Sequence, residues 1–173
     1  MDSVLLLFSI LIPVAALIVV IYLFLKKFNE DKIKTLQLQL KQERTKFFLE
    51  PRLDAYQRIV LLLERITPAN LIMRIHNPSK SANEMHSEIL STIRREFDHN
   101  VAQQIFISPA AWEMVKKSKE ETIKLINIAA KQMEEEATAT DLSNKVFELN
   151  AEIGELPTEI AIKYVKEELQ KLF

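Results

Sequence analysis

Residues Ser81 to Phe97, SANEMHSEILSTIRREF, contain both the start signal and the periodicity of an α-helix. Ser81 followed three residues later by Glu84 fits a capping box, in which each residue accepts the free N–H of the other. The apolar residues that follow recur every four positions, as on one face of a helix: Met85, Ile89, Ile93 and Phe97. The segment predicts an amphipathic helix that ends near Asp98–Asn100.

Upstream of this helix, prolines mark two further helix starts. Pro51 suits the first turn of a new helix, because a proline there lacks only an N–H that would be unpaired anyway. Thr67-Pro68 repeats the pattern, with Thr67 as the N-cap. We expect a helix from Pro51 and a short helix from Pro68 to about Ile75.

Downstream, three more helices are predicted. Ser108-Pro109 opens one that runs to about Glu136, the next covers Asp141 to Glu152, and the last follows Pro157. Gly154 fits the position just past a helix end, where a positive φ is needed. Periodicity predicts these inward residues: Trp112, Val115, Ile123, Ile126, Ala130, Met133, Leu142, Val146, Leu149, Ile153, Ile160, Tyr164 or Val165, Leu169 and Leu172.

The predicted fold class is all-α. The chain has a single glycine, which argues against a β-rich fold with many tight turns. Residues 101–108 (VAQQIFIS) fit a helical turn, an extended connector or one strand, and a packed connector is favoured because a lone strand cannot form a stable sheet. Several capped helices separated by short loops predict a helical bundle.

At the N-terminus, residues Val4 to Leu25 read VLLLFSILIPVAALIVVIYLFL and carry no charge. A helix of this length reaches about 33 Å, enough to cross a hydrocarbon core of about 30 Å. A cleaved signal peptide would need a basic start and a small-residue cleavage site, and this run has neither. We expect a transmembrane anchor over residues 1–26, with lipid as its first partner.

Charges after the run predict its orientation. Lys26, Lys27, Lys32 and Lys34 follow the run and only Asp2 precedes it, so the positive-inside rule places the N-terminus outside and the body in the cytoplasm. Residues 27–50 would form a juxtamembrane stalk helix, and residues 51–173 a cytoplasmic helical domain. Apolar stalk residues at roughly heptad spacing leave open a homodimer or packing on the chain's own body: Ile33, Leu36, Leu40 and Phe47.

Several chemistries are absent from the sequence. A phosphate-cradling loop needs several glycines, and this chain has one. The chain has no cysteine, and the spacing of its three histidines fits no metal motif, so neither a metal nor another cofactor is expected. Basic and acidic residues cancel after the N-terminal run, which argues against nucleic-acid binding. No serine lies in a nucleophile-elbow context, and we expect no enzyme activity.

Four residues are candidate contacts for a partner or a ligand. Trp112, at the fourth position of a capped helix, fits a core anchor or an exposed hot spot of an interface. Arg74, His76 and Asn77 surround a predicted turn and could supply polar groups to a small-molecule pocket.

The segment RLDAYQRIVLLLERITPANLIMRIHNP (Arg52 to Pro78) resembles membrane-anchored bacterial families of the domain-of-unknown-function type, from Gram-negative Bacteroidota. The resemblance implies a bacterial setting and transfers no catalytic motif.

Together these patterns predict a membrane-anchored structural or interaction protein. It would present a helical domain to a protein partner, within an envelope complex, at the cytoplasmic face of a bacterial inner membrane. The alternative is a membrane-tethered regulatory domain that binds a small ligand.

Overall fold

The computed structural model describes residues 2–171, including the side chains of residues 17–44 and 46–171. In this part of the chain the backbone forms α-helices and one short 3-10 turn, and no strand, so the predicted all-α class is confirmed. The helices are α1 (Asp2–Ile66), α2 (Pro68–Ile75), α3 (Ala82–Asn100), α4 (Pro109–Lys131), α5 (Ala139–Glu152) and α6 (Pro157–Gln170), with the 3-10 turn at Val101–Ile105.

Two compact units divide the chain, residues 1–49 and residues 50–173. In the first unit nearly all described side chains are exposed, including Ile33, Leu36, Leu40 and Phe47 of the predicted stripe. Side chains 4–16 of the predicted span lie outside the described residues. Among the helices searched over the described residues, none has a stretch long and apolar enough to cross a membrane.

Pro51 does not begin a new helix, because α1 is helical on both sides of it. A proline inside a helix loses one hydrogen bond and costs about 3 kcal/mol. The residues after Pro51 offset this cost by burial, since one face of α1 enters the core of the second unit. Its fully buried members are Ala55, Tyr56, Ile59, Leu62, Leu63 and Ile66.

The core of the second unit is one apolar cluster to which α1 and all of the later helices contribute. The predicted face of α3 is largely correct, with Met85, Ile89 and Ile93 fully buried and Phe97 partly buried. Helix α4 packs against α3, α5 and α6.

The capping box predicted at the start of α3 is confirmed. The Glu84 N–H donates to Ser81 Oγ at 3.3 Å, and the Ser81 N–H donates to Glu84 Oε2 at 2.9 Å. The bond from the Ser81 N–H, followed by a bond from the Ser81 hydroxyl at 3.0 Å, lowers the pKa of the Glu84 carboxyl.

A second capping box, which the sequence did not reveal, begins α5. Thr138 and Asp141 exchange the same pair of bonds, at 3.3 and 2.8 Å, so α5 starts at Ala139 rather than at Asp141. The two caps are joined, because the Ala82 N–H donates to Ala137 O at 2.9 Å. The starts of α3 and α5 are therefore held side by side.

Three local features differ from the favoured prediction. Thr67 precedes α2 without capping it, because its hydroxyl donates to Leu63 O at 2.9 Å instead. Residues 101–105 form a 3-10 turn, the helical alternative for that segment. Helix α4 ends at Lys131, before the acidic run that ends at Glu136.

The outer faces of the last two helices also differ from prediction. Ile153 and Ile160 were expected inside but are 45% and 40% exposed. Of the two alternatives Tyr164 and Val165, Val165 is the buried residue and Tyr164 is 37% exposed. Periodicity predicts which residues share a face, but the neighbouring helices decide how much of that face is covered. Leu172 lies outside the described residues.

Candidate functional site

An apolar groove of about 430 Å³ opens where α4 faces the turn between α5 and α6. We call it the apolar groove and define it by six lining residues: Leu125, Ile128, Leu149, Ile153, Leu156 and Pro157. Leu125 and Leu156 are buried in its floor, whereas Ile128 is 42% exposed and Ile153 is 45% exposed. Two β-branched apolar side chains thus face solvent at a concave apolar surface.

Gly154 lies in the turn between α5 and α6, next to the lining residue Ile153. Its φ of +68° lies in the left-handed region, as predicted for the residue after a helix end. An added Cβ would meet nothing within 4 Å, so the backbone conformation alone requires glycine here. The turn brings Leu156 back into the core and starts α6 at Pro157.

Hydrogen bonds hold the start of α6 in place beneath the groove. Ser118 Oγ donates to Pro157 O at 2.8 Å, and the Thr67 and Thr158 hydroxyls are hydrogen-bonded to each other at 3.0 Å. Thr122 Oγ1 donates to Ser118 O at 2.9 Å. The hydroxyls around the floor are therefore already bonded within the chain, and the groove offers an occupant mainly apolar contact.

The rim of the apolar groove carries a surplus negative charge. Glu121 and Lys124 face each other at 3.7 Å and compensate each other. Glu152 also lines the groove and takes part in no ion pair within the described part of the chain. A basic group on an occupant would therefore meet an unpaired carboxylate.

A second groove, of about 660 Å³, runs along α6 beside the corner between α1 and α2. We call it the polar groove, because Asn70, Asn150, Lys163, Lys166 and Glu167 are among its lining residues. Asn150 Oδ1 is the one buried side-chain oxygen or nitrogen without a hydrogen-bond partner among the described residues. A buried acceptor without a donor is costly, by about 1–3 kcal/mol, so this oxygen favours a bound donor such as a ligand N–H or a water.

A family model for DUF7935, a family of unknown function, matches residues 2–172. The chain belongs to DUF7935. The expected resemblance to a domain of unknown function is confirmed, and the Bacteroidota origin stays a prediction. No curated protein matches the DUF7935 chain, and no solved structure matches it.

Glu168 of the DUF7935 chain is the centre of a polar cluster that joins α6 to α1 and α4. Its carboxylate accepts hydrogen bonds from the Tyr56 hydroxyl and the Ser108 hydroxyl, and from the Ser108 N–H at 3.2 Å. Burial alone would raise the pKa of Glu168, but the bonds from Ser108 and Tyr56 and the nearby Arg52 outweigh it and lower that pKa.

The pKa of Tyr56 is shifted in the opposite direction from that of Glu168. Burial, followed by the bond to Glu168, raises the pKa of its hydroxyl from 10.0 to about 12. A carboxylate held ionised and saturated by donors is a poor general base, and no histidine joins the cluster to activate Ser108. The hydrogen bonds of the cluster fasten α6 to α1 and to the start of α4.

Trp112 lies in the core and is 8% exposed. Its ring stacks on Phe97, with centroids 5.2 Å apart and planes 26° apart, and Lys119 Nζ lies 4.2 Å from the Phe97 centroid on that ring's face. The structure thus brings Trp112 together with α3 and not with either groove.

His76 contacts α5. Its Nδ1 lies 3.1 Å from Ser143 Oγ, and Ser143 in turn donates its hydroxyl to Ala139 O at 2.7 Å. Because that hydroxyl proton is used, Ser143 accepts from His76, which places a proton on Nδ1. The ring joins two elements rather than entering a pocket.

Arg74 and Asn77 also make contacts within the chain. Arg74 pairs with Glu96 at 3.3 Å, and Arg65 pairs with the same carboxylate at 3.2 Å. Asn77 Oδ1 accepts the Ser79 N–H at 3.0 Å, which forms the predicted turn. Arg74, His76 and Asn77 line neither groove, so their role in binding a ligand stays a prediction.

Within the described residues, no group of three histidine, aspartate or glutamate side chains converges as a metal-ligand set. The residues that sequence reasoning missed are Ile128 and Glu152, and it assigned Ile153 to the interior. These residues are distinguished by their position at the apolar groove, and that position depends on tertiary packing.

Proposed function

We propose that this protein is a single-pass membrane protein that presents its second unit to a protein partner at the cytoplasmic face of a bacterial inner membrane. We call this second unit, residues 50–173, the helical unit. The apolar groove, with Ile128 and Ile153 half-exposed at its walls, carries the proposal. Fully burying an isoleucine side chain contributes about 1.5–3 kcal/mol, so covering both walls would be favourable. Large apolar side chains around a concave surface are typical of interaction sites.

The anchor is supported by the uncharged run at residues 4–25 and by the lysines that follow it. An anchor raises the local concentration of the helical unit at the membrane, so a modest groove can be sufficient for binding. The net positive segment after the run would favour an anionic lipid surface.

The topology gives the first prediction. A reporter that is active only in the cytoplasm, fused after Phe173, should be active, and the protein should resist alkaline extraction from membranes. The matched control deletes residues 4–25, which should release the protein into the soluble fraction. Activity of a periplasm-specific reporter at the same position would contradict the orientation.

Site-specific photo-crosslinking in the native cells tests the interaction. A photoreactive amino acid at Ile128 or Ile153 should form an adduct with the same protein, because both side chains line the apolar groove. The matched control position is Ile105, which is 76% exposed but lies on the 3-10 turn, outside the groove. The same adduct from all three positions would show that exposure alone, and not the groove, determines the contact.

A second candidate function is a membrane-tethered domain that binds a small ligand in the polar groove. The unpaired Asn150 Oδ1 is the observation that favours it, since a ligand N–H would satisfy that oxygen. In the crosslinking experiment this function would leave Ile128 and Ile153 without a protein adduct.

A further inference from the structure

We infer that the occupant of the apolar groove is one amphipathic helix of a partner protein, with basic side chains beside its apolar face. The inference rests on the proposed function, which requires only that a protein covers this groove. It adds the secondary structure and the charge of the segment that binds.

The length of the groove fits a helix. The wall from α4 includes Glu121, Leu125 and Ile128, which are spaced by four and three residues. Seven residues of helix span about 10 Å, close to two turns. A partner helix with apolar side chains at positions i, i+4 and i+7 covers the same length, as in other helix-in-groove complexes.

Other kinds of occupant fit less well. An extended peptide binds best by adding a strand to a sheet edge, and the described residues contain no sheet. A polar small molecule needs free polar groups to orient it. Here the Thr122 and Thr158 hydroxyls are already bonded within the chain.

Charge on the rim selects the basic helix. Lys124, a basic residue that lines the groove, is engaged with Glu121 at 3.7 Å. Glu152 stays unpaired at the mouth of the groove. A lysine or arginine on the partner helix would pair with it, whereas a glutamate there would be repelled.

Binding of designed peptides to the full chain in mild detergent tests this inference. The probe is a fluorescent helical peptide with leucines at i, i+4 and i+7 and lysines beside them, measured by anisotropy. Two comparison peptides carry glutamates in place of the lysines, or the same residues in scrambled order. We expect the lysine peptide to bind at least about threefold more tightly than the glutamate peptide, as for one exposed ion pair.

Two substitutions and one control complete the design. Ile153→Asp should weaken the lysine peptide about tenfold or more, because it places a charge on the apolar wall. Glu152→Lys should reverse the preference, so that the glutamate peptide binds more tightly. Ile105→Asp, on an exposed residue outside the groove, should leave all affinities unchanged, and circular dichroism should show the same helix content for every variant.

Several outcomes would overturn the inference. These are equal binding of the scrambled peptide, an unchanged preference in Glu152→Lys, or an equal loss in Ile105→Asp. A self-association, or binding to anionic vesicles, that Ile153→Asp abolishes would identify a second copy or lipid as the occupant instead. Protein adducts at Ile128 and Ile153 without any charge preference of the peptides would refute this inference alone and leave the proposed function standing.

Discussion

Replacement of Trp112 by alanine is expected to lower the free energy of unfolding of the helical unit by about 3–5 kcal/mol, the usual cost of removing a buried tryptophan. The loss has two sources. The substitution empties a large volume between α3 and α4, and it removes the stacking of Trp112 on Phe97 at 5.2 Å. Denaturant unfolding of the full chain in mild detergent, followed by far-ultraviolet circular dichroism, measures the change.

Trp112→Phe is the matched control, because it keeps an aromatic ring beside Phe97 and should lose less than half as much stability. A Trp112→Ala protein that unfolds like the unmodified chain but gives no crosslinked adduct would contradict the core role. It would indicate instead that the indole serves a partner, the other role that its position allowed.

Glu168→Ala is expected to cost about 2–4 kcal/mol. The substitution removes the acceptor of the fully buried Tyr56 hydroxyl, and a buried donor left unpaired costs about 1–3 kcal/mol. It also removes the acceptor of both donors of Ser108, which is only partly buried, so water can replace part of those bonds. Glu167→Ala, at the exposed neighbouring position, is the control and should change stability by less than about 0.5 kcal/mol. Equal effects of the two substitutions would mean that the cluster does not fasten α6.

The same cluster makes stability depend on pH in two directions. The pKa of Glu168 is lowered from 4.5, so its contribution is fully present above about that pH and is lost as the pH falls through the lowered value. The pKa of Tyr56 is raised from 10.0 to about 12, so its contribution is present below pH 10 and is lost as the pH rises toward 12. In Glu168→Ala, the free energy of unfolding should fall less steeply as the pH is lowered below about 4.5 and as it is raised above 10.

Local signals in the sequence predicted the helix boundaries well, because a cap or a proline acts within one turn. Ser81, Ser108, Gly154 and Pro157 all mark the helix ends expected of them. Pro51 is one exception, since burial of the residues after it outweighs the hydrogen bond that it loses. Thr67 is another, since its hydroxyl bonds to Leu63 O instead of capping α2.

The candidate site could not be predicted in the same way. Whether Ile153 lies inside or outside depends on how far α4 and α6 cover the end of α5, which no periodicity within α5 encodes. Glu152 is one of many glutamates in the sequence, and only the folded structure shows that it lines the groove and has no ion pair among the described residues. The orphaned oxygen of Asn150 is likewise a consequence of packing between elements.

The stack of Trp112 on Phe97 also gives the molecule a native optical reporter. The chain has one tryptophan, so its tryptophan fluorescence comes from a single place, between α3 and α4. The chain has no cysteine either, so one introduced on the rim of the apolar groove would be the sole thiol for a dye. Energy transfer from the indole to that dye would then follow the distance between the core and the groove without any other labelled position.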